Sequence, residues 1–220
     1  MTNSKNIEFW MVRHGETIFN TKGIVQGWCD SPLTENGVLM SGCLGKGLSD
    51  SRINFESVYS SDLTRCLETA RLISKFLNNK LKIKPNKNLR EINTGDREGD
   101  LISEYLKEYP FSLNFKKHTG TPHGETWQDV YDRLIPELYK IYNKQPNRSK
   151  VLIVTHSMLI ASIIGYLDQS VEEVIYVPNN SVTIFSFIDG KLSLKSLPDQ
   201  KYIEYGIKYK DEIKHELNLF

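Results

Sequence analysis

Arg13 and His14 stand where an apolar run, Ile7-Glu8-Phe9-Trp10-Met11-Val12, gives way to Gly15-Glu16-Thr17. A second apolar run, Val151-Leu152-Ile153-Val154, ends in the same manner on Thr155-His156-Ser157. Two histidines delivered at the carboxyl ends of buried strands predict an active site, because open parallel sheets bind ligands in the crevice beyond those ends. An arginine is a costly neighbour for an imidazole unless an anion sits between them, and Gly15 lets backbone approach that anion closely. An anionic phosphoryl group fits this set best. Neutral imidazole can attack phosphorus and form a phosphohistidine that water or another acceptor later discharges. Arginines would neutralise charge on the transferring group, a second histidine would hydrogen-bond to its oxygens, and a carboxylic acid would protonate the departing alkoxide.

The sequence offers a candidate for each of these parts. Arg65 lies one turn into a helix that begins near Asp62, where exposed amide N–H groups also favour an anion; a surface salt bridge is an equal alternative. His156 ends the most hydrophobic strand. Glu91, after Arg90, is the candidate acid, with a solvated ion pair as the plainer reading. Metal chemistry is disfavoured: there is no His-x-x-His or His-Glu-x-x-His spacing, and flanking arginines repel a cation. Gly120-Thr121-Pro122-His123-Gly124 lacks the ending and the preceding strand of a nucleotide-binding loop. Trp127 and Tyr131 read as helix packing rather than a stacking platform. Cys29, Cys43 and Cys66 show no pairing or ligand spacing and read as free thiols, with Cys66 in the core.

The elements that must position these residues follow from periodicity. Strands are expected at Ile7–Val12, around Val58-Tyr59, at Leu81–Ile83 and at Val151–Val154. Helices are expected over Glu35–Leu48, weakened by Gly42, Gly45 and Gly47, and over Leu63–Leu77, with Asp62 as its cap. Further helices are expected at Leu101–Tyr109, at Trp127–Tyr142, bent or split by Pro136, and at Ser157–Leu167. Ser181–Ile188 and Lys191–Leu197 read as antiparallel strands joined by Asp189-Gly190, and the charged tail beyond Tyr202 reads as a surface helix. Strands alternating with helices predict an α/β fold, a three-layer α/β/α sandwich around a mostly parallel sheet with an antiparallel edge. One domain over residues 1–220 is expected, with the irregular stretch 93–123 as a candidate cap or lid over a pocket.

Composition is that of an ordinary globular domain: 220 residues, 39% hydrophobic, 25% charged. A net charge of +1, from 28 basic against 27 acidic residues, gives no field for nucleic acid or an anionic membrane. Attraction for anions must therefore be local. The opening residues Met1–Asn6 lead into too short an apolar run for a signal peptide, and no window resembles a membrane span, so a cytoplasmic location is expected.

Arg13-His14-Gly15-Glu16-Thr17 resembles the signature of the histidine phosphatase superfamily, the phosphoglycerate mutase-like family. Its continuation is visible as Asn20, Gln26-Gly27 and Asp30-Ser31-Pro32-Leu33-Thr34-Glu35-Asn36-Gly37. Ser60-Ser61-Asp62-Leu63-Thr64-Arg65-Cys66-Leu67-Glu68-Thr69-Ala70, Leu89-Arg90-Glu91, Gly124-Glu125-Thr126 and Thr155-His156-Ser157 resemble later blocks, so the likeness runs from about residue 7 to 190. The resemblance implies that His14 is phosphorylated, that Glu91 donates the proton and later activates water, and that Arg13, Arg65 and His156 complete the phosphate pocket. It further implies that Asn20 lies near the transferred group, that Gln26-Gly27 contacts substrate, and that neither metal nor organic cofactor is needed. Ser157 stands where glycine is common, still offering its amide, and Thr126 where serine is usual.

Mutases of this family carry a long insertion with an arginine pair between the acid and the second histidine. Here Glu91 and His156 are only 65 positions apart, as in the shorter phosphatase branch. The expectation is a phosphomonoesterase acting on a small phosphorylated metabolite. A phosphoglycerate mutase, with Lys116-Lys117 gripping a second anionic group, and a non-catalytic phospholigand-binding protein are the rivals. Selectivity is expected to reside in Phe19, Trp28, Tyr105, Phe111, Phe115 and the lysines. A homodimer is compatible with all of this.

Overall fold

A computed structural model describes residues 4–219; Met1–Asn3, where the leader reading begins, and Phe220 lie outside the described residues. Six strands form one sheet in the order β3-β2-β4-β1-β5-β6. They are β1 (Asn6–Arg13), β2 (Ser57–Ser61), β3 (Ile83–Asn86), β4 (Lys150–Thr155), β5 (Val182–Ile188) and β6 (Lys191–Asp199). β3, β2, β4 and β1 run parallel, whereas β5 is antiparallel to β1 and β6 to β5. This is the expected mostly parallel sheet with an antiparallel edge.

The helices are α1 (Ile18–Lys22), α2 (Glu35–Asp50), α3 (Thr64–Phe76), α4 (Ile102–Glu108), α5 (Trp127–Asn143), α6 (Ser157–Leu167), α7 (Lys201–Ile207) and α8 (Lys210–Leu217). Alternation along β1 shows how two faces are covered. Ile7, Phe9 and Met11 join one core with Val130, Leu134, Leu138 and Ile160 from α5 and α6. Trp10 and Val12 join the other with Leu44, Cys66, Ile73, Ile203 and Ile213 from α2, α3, α7 and α8. Period-two side chains from a sheet buried on both faces thus yield the three-layer α/β/α sandwich.

Three local expectations change. Asp62 does not cap α3; its carboxylate takes a bidentate ion pair from Arg90, and Asp30 accepts from the Thr64 N–H instead. Pro136 does not split α5, which runs unbroken through it. The tail is not a lone surface helix. It forms α7 and α8, which bury Tyr202, Ile203 and Ile213 against the sandwich. The α2 glycines that weakened the helix reading explain this docking: a Cβ on Gly47 would strike the carbonyl of Tyr202, so only glycine lets α7 approach so closely.

Candidate active site

β1 and β4 are neighbours in register, Arg13 opposite Thr155, so the next residues, His14 and His156, emerge side by side. The His14 N–H donates to the Thr155 carbonyl at 2.9 Å, and the two imidazoles lie edge to face with centroids 5.3 Å apart. Both rings are buried and both pKa values are pushed well below the ordinary histidine value. For His14 desolvation leads, followed by the charges of Arg65 and Arg13; for His156 desolvation leads, followed by the Arg65 charge.

Hydrogen bonds hold the two neutral rings in opposite tautomers. His14 Nδ1 lies 2.8 Å from the Gly15 carbonyl, which can only accept, so Nδ1 carries the proton and Nε2 keeps its lone pair. His156 Nδ1 faces the guanidinium of Arg65 at 3.1 Å, which can only donate, so there the proton sits on Nε2 and goes to Ser61 Oγ at 2.8 Å.

Arg65 is fully buried. It donates to Asp30 Oδ1 at 3.0 Å and to the carbonyls of Cys29 at 2.8 Å and Gly27 at 2.7 Å. Gln26, oriented to satisfy both neighbours, donates to Thr17 Oγ1 at 2.8 Å and accepts from Arg65 Nε at 2.9 Å. The surface salt-bridge alternative is thereby removed: Arg65 pairs with Asp30 from full burial and contacts His156. Arg13 is bound more sparsely. It donates to the Val177 carbonyl at 2.7 Å, while its buried Nε has no partner among the described residues.

Glu91 is buried as well, not a solvated partner of Arg90. Its Oε1 accepts from the N–H groups of Ile92 and Leu159, and its Oε2 from that of Met158, each at 3.1 Å. The Met158 and Leu159 amides belong to the first turn of α6, so Glu91 serves as that helix's missing cap from a distant loop. Desolvation raises its pKa against the opposing pull of the Met158 and Ile92 amides and of Arg65 and Arg13.

A cavity of about 190 Å³ opens at this end of the sheet. Arg13, His14, Asn20, Gln26, Gly27, Glu91 and Ser157 all line it. Arg65 and His156 do not; the His156 ring lies against that of His14, and Arg65 joins His156 to the carbonyl of the lining residue Gly27. The segment 93–123 supplies a wall through Thr94, Ile102, Tyr105, Leu106, Ser112 and Leu113. The lysines expected to grip a second anion are elsewhere: Lys116 pairs with Glu172 at 2.8 Å, and Lys117 sits over the Phe111 ring. Of the expected selectivity residues only Tyr105 lines the cavity; Phe115 packs on Trp127, and Trp28 donates to the Glu91 carbonyl at 2.9 Å.

Three supports escaped the reading of the sequence. Glu98 accepts from the amides of Gly27, Trp28, Cys29 and Thr94, at 2.8 to 3.1 Å, tying the loop over the cavity to the segment after Glu91. There Gly27 approaches so closely that a Cβ would lie 2.5 Å from the Ile92 carbonyl. Arg133 forks onto Glu125 and donates to the carbonyls of Asn88, Arg90 and Glu91, each at 2.9 Å. Asn179 donates to the His14 carbonyl at 2.9 Å and to Asn20 Oδ1 at 3.2 Å. Among the described residues no group of three or more His, Cys, Asp or Glu is placed to hold a metal ion, and no helix is long and apolar enough to cross a membrane.

A mostly parallel sheet presenting two buried histidines with Arg13 and the buried Arg65 beside them at its carboxyl edge defines a phosphate-handling α/β enzyme. Residues 9–200 match the model of the histidine phosphatase superfamily, branch 1, and the chain belongs to that family. It is 32% identical to a phosphoglycerate mutase-like protein 4 of Arabidopsis thaliana, over 90% of this chain and 87% of that one. It is also 32% identical to the phosphatase PhoE of Bacillus subtilis, over 70% and 74%. The fold superposes on a phosphoglycerate mutase crystal structure from Bacillus anthracis with a TM-score of 0.80 at 33% identity, covering 94% and 99% of the two chains. Family membership supports phosphohistidine-based phosphatase activity; mutase and phosphatase names both occur among the relatives.

Proposed function

We propose that the protein hydrolyses a small phosphomonoester through a phosphohistidine on His14. The observation that carries this reading is the pairing, on one cavity, of a neutral imidazole with its Nε2 lone pair free and a buried carboxyl whose pKa is raised. His14 Nε2 attacks phosphorus as the bond to the leaving oxygen breaks, and protonated Glu91 gives that oxygen its proton. The Glu91 carboxylate then takes a proton from water, which attacks the phosphohistidine and releases phosphate and the free imidazole. Arg13 meets the phosphoryl oxygens at the cavity surface. Arg65 supplies a fixed positive charge from behind, oriented by His156 and Asp30, and helps keep His14 unprotonated. Asn20, Gln26, Gly27 and the Ser157 amide shape the inner end where the phosphoryl group sits. No step draws on a metal or an organic cofactor.

The test is phosphate release from a panel of small phosphomonoesters with His14→Ala alongside. Release by the wild-type protein alone, with an acid-labile, alkali-stable phosphoryl group trapped on it, is the expected result. Equal release by His14→Ala would overturn the mechanism. Interconversion of 2- and 3-phosphoglycerate outpacing phosphate release would identify a mutase instead.

A further inference from the structure

His14 and Asn20 both line the cavity, yet each owes its setting to a residue that does not. Asn179 stands just before β5, and its Nδ2 donates to the His14 carbonyl at 2.9 Å and to Asn20 Oδ1 at 3.2 Å. A carboxamide nitrogen has two protons, so one goes to each. The His14 main chain is thereby held at both ends, its N–H being bonded to the Thr155 carbonyl. Asn20 Oδ1 also accepts from the Thr17 N–H at 3.1 Å. Two donors on that oxygen decide an orientation that the shape of a carboxamide leaves open. The other end, Asn20 Nδ2, has no hydrogen-bond partner among the described residues and is the donor left for a ligand in the cavity. Asn179 is itself anchored: its carbonyl accepts from Gln200 Nε2 at 2.9 Å, and the Asn180 N–H donates to the Arg13 carbonyl at 3.0 Å.

We propose, resting on the phosphohistidine reading above, that Asn179 is a positioning residue for phosphoryl transfer. It joins the main chain of the nucleophile to the Asn20 amide, so that His14 Nε2 and Asn20 Nδ2 meet one phosphoryl group at a fixed separation. It also keeps the donor end of that amide foremost. A donor aimed at the phosphoryl oxygens gains strength as charge spreads over them, whereas a carbonyl oxygen in its place repels a dianion. Asn179→Asp reverses the arrangement. The shape is kept but ionised aspartate only accepts, so it opposes both the His14 carbonyl and Asn20 Oδ1. Turning the Asn20 amide over gives the new carboxylate a donor and points Oδ1 at the phosphoryl group. Asn179→Ala removes the clamp without that reversal, since the Thr17 N–H still holds Oδ1.

The experiment measures kcat/KM for 4-nitrophenyl phosphate in the wild-type protein, Asn179→Asp, Asn179→Ala, Asn20→Ala and the two double variants, with melting curves to show each folded. Asn179→Asp is expected to lose about 100-fold, as for one donor removed from the transferring group. Asn179→Ala is expected to lose about tenfold, from looser placement alone. In the Asn20→Ala background the same substitutions are expected to cost less than about fivefold and about threefold. The added charge acts in both backgrounds, so the difference between them isolates the turned amide. Equal losses in the two backgrounds, or Asn179→Asp within about threefold of wild type, would overturn the positioning role and leave the phosphatase reading intact. Asn179 also lines a second cavity, of about 420 Å³, so Asn179→Ala creates no sealed void and carries the test where Asn179→Asp fails to fold. Release undiminished by His14→Ala, or no release by the wild-type protein, would strike the phosphohistidine reading and this proposal with it.

Discussion

Arg133 touches neither the cavity nor either histidine, yet its removal is predicted to disable the acid half of the reaction. Its guanidinium makes five hydrogen bonds, two to Glu125 and three to the carbonyls of Asn88, Arg90 and Glu91. Glu125 in turn accepts from the Asn93 amide at 2.8 Å, so the turn bearing Glu91 is gripped on both sides. Both partners of the ion pair are largely shielded, with side-chain exposures of 14% and 15%. Arg133→Ala takes the counter-charge from a shielded carboxylate, which keeps only the Asn93 amide, and a donor from each of three carbonyls, of which that of Glu91 keeps Trp28, a loss of about 2–4 kcal/mol in stability. A displacement of Glu91 by about 1 Å is enough to cost on the order of 100-fold in proton transfer. That cost falls selectively. An alkyl phosphate needs a proton on its leaving oxygen, whereas 4-nitrophenolate departs without one. Arg133→Ala should therefore lower kcat on an alkyl phosphate by about 100-fold, and on 4-nitrophenyl phosphate by less than about fivefold, at a temperature where melting shows the variant folded. Arg133→Lys, lacking the fork, should fall between. Equal losses on both esters would refute a positioning role and leave Arg133 as a stabilising residue only.

The buried neutral histidines make stability sensitive to acid. His14 and His156 have folded pKa values below the unfolded one, so the unfolded chain binds more protons and stability falls as pH drops below about 6.5. Two such groups give a slope of up to about 2.7 kcal/mol per pH unit; His156→Gln should reduce it in urea melts at a series of pH values, and an unchanged slope would contradict the assignment. Activity should hold to lower pH than free imidazole chemistry allows, since His14 stays neutral. The proton-donating step should fade as pH rises through the elevated Glu91 pKa, giving an acid-shifted kcat profile on alkyl phosphates that Glu91→Gln abolishes. Glu98→Ala releases four backbone amides; it should raise KM several-fold and lower the melting temperature, measured by substrate titration and calorimetry. Inorganic phosphate at about 100 times its Kd should stabilise the protein by about 2.7 kcal/mol in thermal melts, an effect reduced in Arg13→Ala.

The layers and the sheet were legible because β1 and β4 are short apolar runs that end on chemistry-bearing residues, and because β5 and β6 alternate around Asp189-Gly190. What stayed hidden depends on contacts distant in sequence. Asp62 and Asp30 compete for the start of α3, and only the approach of Arg90 to Asp62 decides between them. Arg133 carries no local signal at all, sitting on an otherwise ordinary amphipathic helix, while its partner Glu125 was visible only as part of a glycine-glutamate-threonine element. The glycines of α2 misled for a related reason: propensity penalises them singly, whereas Gly47 is required by the close approach of α7, over 150 residues away, and Gly45 by the backbone of Ile73 in α3. Asn179 and Glu98 have side chains too common for their type to mark them, and acquire meaning through the backbone groups they reach.

The charges of the site do not balance by themselves, and this imbalance joins the fold to the chemistry. Arg65 is buried with one carboxylate, Asp30, against it; Arg13 is half-buried, with a single carbonyl and a buried Nε that has no partner among the described residues. Glu91 is an acid whose charge acts on Arg13, and desolvation favours its neutral form. A buried guanidinium left without a counter-charge destabilises a protein, and both arginines further disfavour protonation of the histidines beside them. A phosphoryl dianion entering the cavity supplies the missing charge. In the proposed mechanism, the arginines that help keep His14 neutral are also the ones that a phosphoryl group would engage. As charge spreads over the phosphoryl oxygens during transfer, that attraction acts without reorganisation, because Asp30, Gly27 and Cys29 already hold Arg65 in place. On the proposed mechanism, the hydrogen-bonded loops around Glu98 and Arg133 hold these charges in place until a phosphoryl group enters.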